Sequence, residues 1–264
     1  MPGRPLLISL GSLTSLVLIA CQTVPITGRS QLQLLSEPQE IQMGHQAYRE
    51  ILRKSGISQD PVLNELVTRV GRRIAGATGK TDYAWEFKVI EDDRQINAFA
   101  LPGGKVAVYT GLLPVTRDDA GLAAVLGHEI AHAVARHGGE RVSQQLLVQT
   151  GLAATTAALS RGDPQAVRSV GSLLGAGAAV GLILPWSRRQ ESEADHLGLI
   201  FMAKAGYDPR AARDLWIRMA EASRGRGRLP EFLSTHPPDV TRIRQIEQWL
   251  PEALQYYHAS PFRS

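Results

Sequence analysis

Ala124-Val-Leu-Gly-His-Glu-Ile-Ala-His-Ala-Val-Ala-Arg-His137 decides the fold, because it sets His128 and His132 four residues apart in a segment of strong helical character. At about 100° per residue, the second imidazole returns to within about 40° of the first and stands ~6 Å further along the axis. Both can therefore hold one metal ion, with Glu129 projecting beside it. Two His and an intervening Glu at HExxH spacing are the ligand pair and proton acceptor of zinc-dependent hydrolysis. The rest of residues 122 to 135 is almost all Ala, Val, Leu, Ile and Gly, so this helix is expected to be buried on most sides.

Zinc needs a third protein ligand. A His ten residues after His128 would supply it in one class of zinc site, but that position is Gly138. His137 misses by one, and on a continuous helix it points to the opposite face from His128; it reads as a surface or second-layer residue. The alternative is a Glu from a later helix, giving a His2Glu set with water in the fourth position. Trp186-Ser-Arg-Arg-Gln-Glu-Ser-Glu-Ala-Asp195 offers one. Glu191 and Asp195 share a helix face, so one can bind metal while the other hydrogen-bonds the free nitrogen of a ligand His, preferably His128. Glu193, about 200° round from Glu191, is expected to face away.

The chain has 264 residues, 44% hydrophobic and 20% charged, which describes a globular protein of one or two domains with ample length for a core. Residues 1 to 20 stand apart: Arg4, an apolar run from Leu6 to Ala20, and then Leu18-Ile-Ala-Cys21 form a secretory signal rather than a membrane span. Cys21 is the only cysteine, which excludes an internal disulfide framework and a Cys-ligated zinc. Without residues 1 to 20, 28 basic side chains face 25 acidic ones, a mild excess that suggests no nucleic-acid role. Arg224, Arg226 and Arg228 alternate with glycines and read as a solvated loop.

Gln22 to Gln33 is polar, with Pro25 and Gly28, and reads as a tether or an arm lying on the domain. Ser36 can cap a helix to about Arg53, and Asp60-Pro61 can start one to about Ala75 with Leu63, Leu66, Val67 and Val70 on one side. The period then changes: Trp85, Phe87 and Val89 alternate with Glu86 and Lys88, so 84 to 91 reads as a half-buried strand. Gln95 to Gly111 reads as two strands around Pro102-Gly103-Gly104. Such a hairpin is either purely structural or a free sheet edge on which an extended peptide can add itself. Between 142 and 185 two small-residue apolar runs fit a packed helical hairpin better than membrane spans, being short, Gly-rich and separated by Arg161, Asp163 and Arg168. His236, in Ser-Thr-His-Pro-Pro, precedes a helix with the stripe Val240, Ile243, Ile246, Leu250. Two prolines hold it rigidly, which suits an oxyanion donor or a latch on the zinc, or else a plain loop His.

Five stretches together resemble zinc metallopeptidase family forty-eight, which includes the CAAX prenyl endopeptidase, HtpX, Oma-type proteases and a branch of bacterial periplasmic lipoproteins. They are Val24-Pro-Ile-Thr-Gly-Arg29, Asn97-Ala-Phe-Ala-Leu-Pro-Gly-Gly104, Gly127-His-Glu-Ile-Ala-His132, Ser187-Arg-Arg-Gln-Glu-Ser-Glu-Ala-Asp195 and Ser234-Thr-His-Pro-Pro238. The resemblance implies an α+β, mainly α-helical, gluzincin-like fold with a small antiparallel sheet and the HExxH active-site helix. It implies one Zn2+ on His128, His132 and Glu191, Glu129 as catalytic base, and a substrate edge strand over Asn97, Ala98, Phe99, Ala100, Leu101, Pro102, Gly103 and Gly104. Asp195 is expected behind a ligand His.

Leu18-Ile-Ala-Cys21 resembles the bacterial lipobox, so the expected organisation is a signal peptide over 1–20, a lipidated N-terminus and tether over 21–35, and one metallopeptidase domain over 36–264. Gln22 in place of Asp points to the outer membrane, facing the periplasm. Protein or peptide substrates of the envelope are expected, with misfolded-protein quality control as the family-level function; an assembly factor with weak proteolysis and an integral membrane protease are the alternatives. Envelope assembly partners are possible in such a setting. Only 26 residues follow Pro238, fewer than the ~34 of one tetratricopeptide repeat, so the docking array of some periplasmic relatives is not expected.

Overall fold

The computed structural model describes residues 21–159, 184–223, 232, 236 and 240–263. An antiparallel pair, β1 (Cys21–Thr23) and β2 (Ser30–Leu32), is followed by helices α1 (Glu37–Lys54) and α2 (Pro61–Ala77). Strands β3 (Glu86–Ile90), β4 (Ala98–Leu101) and β5 (Lys105–Tyr109) then lead into a 3-10 turn, Thr110–Leu112, and the short α3 (Leu113–Thr116). Helices α4 (Asp119–Val134), α5 (His137–Leu159), α6 (Leu184–Lys204), α7 (Arg210–Ser223) and α8 (Val240–Ala259) complete the order. The chain is mainly helical with small sheets, as expected.

Local chemistry accounts for the early elements. The Ser36 backbone N–H donates to Gln39 Oε1 at 2.9 Å, one half of a capping box, and Asp60 accepts from the Val62 N–H at 2.8 Å with Pro61 following it. Gly103 and Gly104, at φ 84° and 83°, turn the chain between β4 and β5 where a side chain would be strained. The three-stranded sheet has the order β3-β5-β4. It is mixed rather than wholly antiparallel: the tight hairpin makes β4 and β5 antiparallel, and β5 then inserts beside β3 in parallel register. That order leaves β3 and β4 at the two edges.

Helix α4 runs through the centre, packed against α2, β4, α6 and α7. Leu122, Val125, Leu126 and Ile130 are wholly buried among Val67, Val70 and Ile74 of α2, Val106 and Val108 of β5, Leu197 and Phe201 of α6, and Leu215 and Met219 of α7. Each such side chain contributes about 1.5–3 kcal/mol by burial. This outweighs the roughly 1 kcal/mol that each of Gly121 and Gly127 costs in a helix interior. Gly127 is there for contact. A Cβ on it would stand 2.8 Å from the Gly198 carbonyl oxygen, and a Cβ on Gly198 would stand 2.9 Å from the His128 nitrogen. The two helices that carry the candidate ligands therefore cross backbone to backbone.

Residues 21–35 form the arm rather than a free tether. Val24 is buried in the main core, Gln31 Nε2 donates to the Ala135 carbonyl at 2.8 Å, and Gln33 Nε2 donates to the Arg136 carbonyl at 3.0 Å. No helix among the described residues is long and apolar enough to cross a membrane. The expected signal over 1–20, most of the apolar hairpin (160–183) and the arginines 224, 226 and 228 lie outside the described residues.

Candidate metal centre

Both imidazoles of α4 are held from behind. His128 Nδ1 lies 2.9 Å from Asp195 Oδ1, and His132 Nδ1 lies 2.9 Å from His137 Nδ1. A ring nitrogen beside a carboxylate carries its proton there, so Nε2 is the His128 atom turned to the site. Burial would lower the pKa of His128, but Asp195 and Glu191 raise it to about 9, so Nε2 becomes a ligand atom by losing a proton as a metal binds. His132 Nε2 faces the same space, 3.1 Å from His128 Nε2. Burial, the largest influence on His132, pushes its pKa well below the usual value and keeps it neutral.

Glu191 of α6 completes the set, with Oε1 3.3 Å from His132 Nε2 and Oε2 3.4 Å from His128 Nε2. A tetrahedron with bonds of ~2.0 Å has edges of about 3.3 Å, so these separations suit a zinc ion. Buried Glu191 Oε1 has no hydrogen-bond partner. Burial would raise this carboxyl, but the facing His132, His128 and His236 outweigh it and hold the group well below the carboxylate range. Two converging imidazole nitrogens beside an ionised carboxylate are a donor set that a divalent cation fits.

Glu129 points into the same space. Its Oε1 is buried without a hydrogen bond, and burial raises its pKa, the direction that makes a carboxylate a better proton acceptor. His236 lies here too, as its rigid Pro-rich setting suggested: Nδ1 stands 2.8 Å from Glu191 Oε2 and 3.1 Å from His128 Nε2, and Nε2 stands 3.4 Å from Glu129 Oε1. One donor atom from each of His128, His132, Glu191 and His236 falls within 4.8 Å of the others. The plain-loop reading of His236 does not fit these distances.

Asp195 takes the place behind His128 that its spacing from Glu191 predicts. Arg242 of α8 secures it, with Nε 2.6 Å from Oδ2 and Nη2 2.7 Å from Oδ1, while its guanidinium lies 3.6 Å over the Trp216 ring. Arg242 was not foreseen as part of the centre. The signal available was its position four residues before Ile246, on the flank of the apolar stripe.

One reading needs correction in part. His137 is not at the surface and does not point away from the site: it is 1% exposed and touches His132 directly, which leaves the second-layer alternative of its reading. The continuous-helix projection fails because α4 ends at Val134 and Arg136 takes φ 58°, restarting the chain in a new helix at His137. Arg136 holds that conformation through Glu40, with Nη2 2.5 Å from Oε1, which offsets a strain of about 1–3 kcal/mol. Glu193 faces away from Glu191 as expected and is buried, its Oε2 accepting from His137 Nε2 at 3.0 Å.

Asn97 to Gly104 covers edge strand β4 and its turn, and β4 packs on α4. Cys21 opens β1.

The model of peptidase family M48 matches residues 61–250. Mitochondrial metalloendopeptidase OMA1 of Schizosaccharomyces pombe is 42% identical over 87% of this chain and 66% of its own length. Metalloendopeptidase OMA1 of Bos taurus is 34% identical over 88% of this chain and 46% of its own. The beta-barrel assembly-enhancing protease of Escherichia coli K12 is 30% identical over 85% of this chain and 46% of its own. The chain thus spans between about half and two thirds of these relatives. With the match over 61–250 and the HExxH helix at its centre, the chain belongs to peptidase family M48.

Proposed function

We propose that the protein is a zinc-dependent endopeptidase acting on proteins of the bacterial cell envelope. The observation that carries this is the convergence of the His128 and His132 Nε2 atoms and the ionised Glu191 beside the buried Glu129 carboxylate. His128, His132 and Glu191 would hold the ion, which when bound supplies Lewis acidity and a water whose pKa falls to about 7. Glu129 would take the proton of the attacking water and hand it to the amine nitrogen as the C–N bond breaks. The substrate lies as an added strand along β4, held by main-chain hydrogen bonds that demand no particular sequence.

His236 is a latch in this reading, its Nδ1 among the ligand atoms where water or substrate must enter. Casein cleavage tests both statements. Activity should vanish with a chelator and return with zinc, and proteolysis indifferent to chelation would end the zinc reading. His236→Ala should raise turnover. A fall of about 100-fold would make it an oxyanion donor instead, and an unchanged rate would remove both roles.

The bacterial relatives are named for enhancing β-barrel assembly and the OMA1 relatives for mitochondria, so the envelope assignment rests on Leu18-Ile-Ala-Cys21. We read Cys21 as acylated and anchored in the outer membrane, with quality control of misfolded envelope proteins as the role. A fatty-acid analogue should label the wild type and not Cys21→Ser; an unlabelled wild type would end this reading.

A further inference from the structure

Behind His132 the contacts do not stop at Glu193. Arg29, on the arm between β1 and β2, donates from Nε to Glu193 Oε2 at 2.7 Å, and Thr27 Oγ1 donates to Glu193 Oε1. The other two guanidinium nitrogens hold Glu140 of α5, Nη1 to Oε1 at 2.7 Å and Nη2 to Oε2 at 2.9 Å. Gln190 Nε2 ties Glu140 back to α6 at 2.7 Å. The arm turn is itself closed, with the Val24 N–H donating to the Arg29 carbonyl at 2.8 Å and Val24 buried.

Proton bookkeeping gives this chain of contacts a direction. For His132 Nε2 to be a ligand, its Nδ1 must carry the proton and donate to His137 Nδ1. His137 must then be protonated on Nε2, and that N–H donates to Glu193. Glu193 in turn must stay a carboxylate. Its two oxygens take the hydrogen bonds of His137, Thr27 and Arg29. The arrangement parallels the one behind His128, where Asp195 is clamped by Arg242. One ligand is thus backed by the C-terminal helix and the other by the N-terminal arm, 103 residues before it in the chain.

We infer that the arm over Val24–Arg29 is a positioning element of the metal centre, in which Arg29 and Thr27 fix Glu193, Glu193 orients His137, and His137 sets the tautomer and ring angle of His132. Arg29 acts through three other residues, so it is not catalytic. The inference rests on the zinc reading above and concerns how tightly the ion is held. Partners of this kind change metal affinity by about 10- to 100-fold when removed.

The test is zinc affinity of the purified full chain, measured by competition with a chelating dye, alongside thermal unfolding of the metal-free protein. Arg29→Ala should weaken zinc binding about 10- to 100-fold. Ser143→Ala, which removes an unrelated arm contact to the Leu34 N–H, should leave affinity within about twofold of wild type, whatever it does to unfolding. In a double-mutant cycle, Arg29→Ala and His137→Gln should be non-additive, since both cut one chain of contacts. Cobalt spectra of Arg29→Ala should also shift, reporting a changed ligand field. Wild-type affinity in folded Arg29→Ala, or an equal loss in Ser143→Ala, would reduce Arg29 to a staple of the arm and overturn the inference. If Arg29→Ala does not fold, Thr27→Val takes its place: it removes one bond to Glu193 and should weaken zinc several-fold, and an unchanged affinity would overturn the inference equally. Wild-type protein that binds no zinc would instead defeat the proposed function, so the two failures are distinguishable.

Discussion

Glu129→Gln should keep its zinc and lose at least about 100-fold in turnover. Glutamine has the shape of glutamate, and Glu129 Oε1 makes no hydrogen bond that the amide would break, so the fold and the donor set should persist. The change removes the proton acceptor. General-base removal costs about 10²- to 10⁴-fold in rate, far more than the loss of one partly formed contact, so chemistry and structure are separable here. The measurement is turnover of a quenched peptide with metal content determined on the same sample. Retention of more than about a tenth of wild-type turnover would mean that another group takes the proton.

Glu191→Ala should behave differently, losing the ion and the activity together. The carboxylate faces His132 at 3.3 Å, His128 at 3.4 Å and Arg242 Nη1 at 3.3 Å, so it is the negative charge that balances a cluster of imidazoles and a buried guanidinium. Without it, a divalent cation would approach two imidazoles with the Arg242 charge close behind. Removing one member of a buried charge set costs roughly 3–5 kcal/mol, or about 100-fold or more in affinity. Zinc content should fall below about a tenth of one equivalent after dialysis. Full occupancy would move the third ligand elsewhere. Glu193 is a poor candidate, being held 3.0 Å from His137 on the other side of α6.

The two variants also separate alternatives that share a phenotype. Both are expected to be inactive, but only Glu191→Ala is expected to be metal-poor. An assembly factor with little proteolysis would show the loss of zinc in Glu191→Ala but little turnover to lose in either variant.

Much of the centre was legible from short spacings. His128 and His132 at four residues, and Glu191 and Asp195 at four, each encode a shared helix face; His128, His132 and Glu191 converge, and Asp195 stands behind His128. The caps at Ser36 and Asp60 and the glycines of the β4–β5 turn were legible for the same reason: each is a contact within a few residues, which the backbone period dictates.

What the period could not reach is every pair that spans elements or a break in one. His137 was misplaced because a helical projection assumes an unbroken helix, and the left-handed Arg136, stabilised by Glu40 from α1, interrupts it. Arg29 meets Glu193 across 164 residues, and Arg242 meets Asp195 across 47, so no local pattern records either contact. The parallel pairing of β3 with β5 is likewise a matter of which strand the hairpin inserts. The sequence alone determined which side chains are the candidates, because His128 and His132, and likewise Glu191 and Asp195, are four residues apart and share a helix face. Tertiary structure decided what orients them, because the second nitrogen of each ligand His is satisfied by whichever buried carboxylate or ring the packing of distant helices and the arm brings to it.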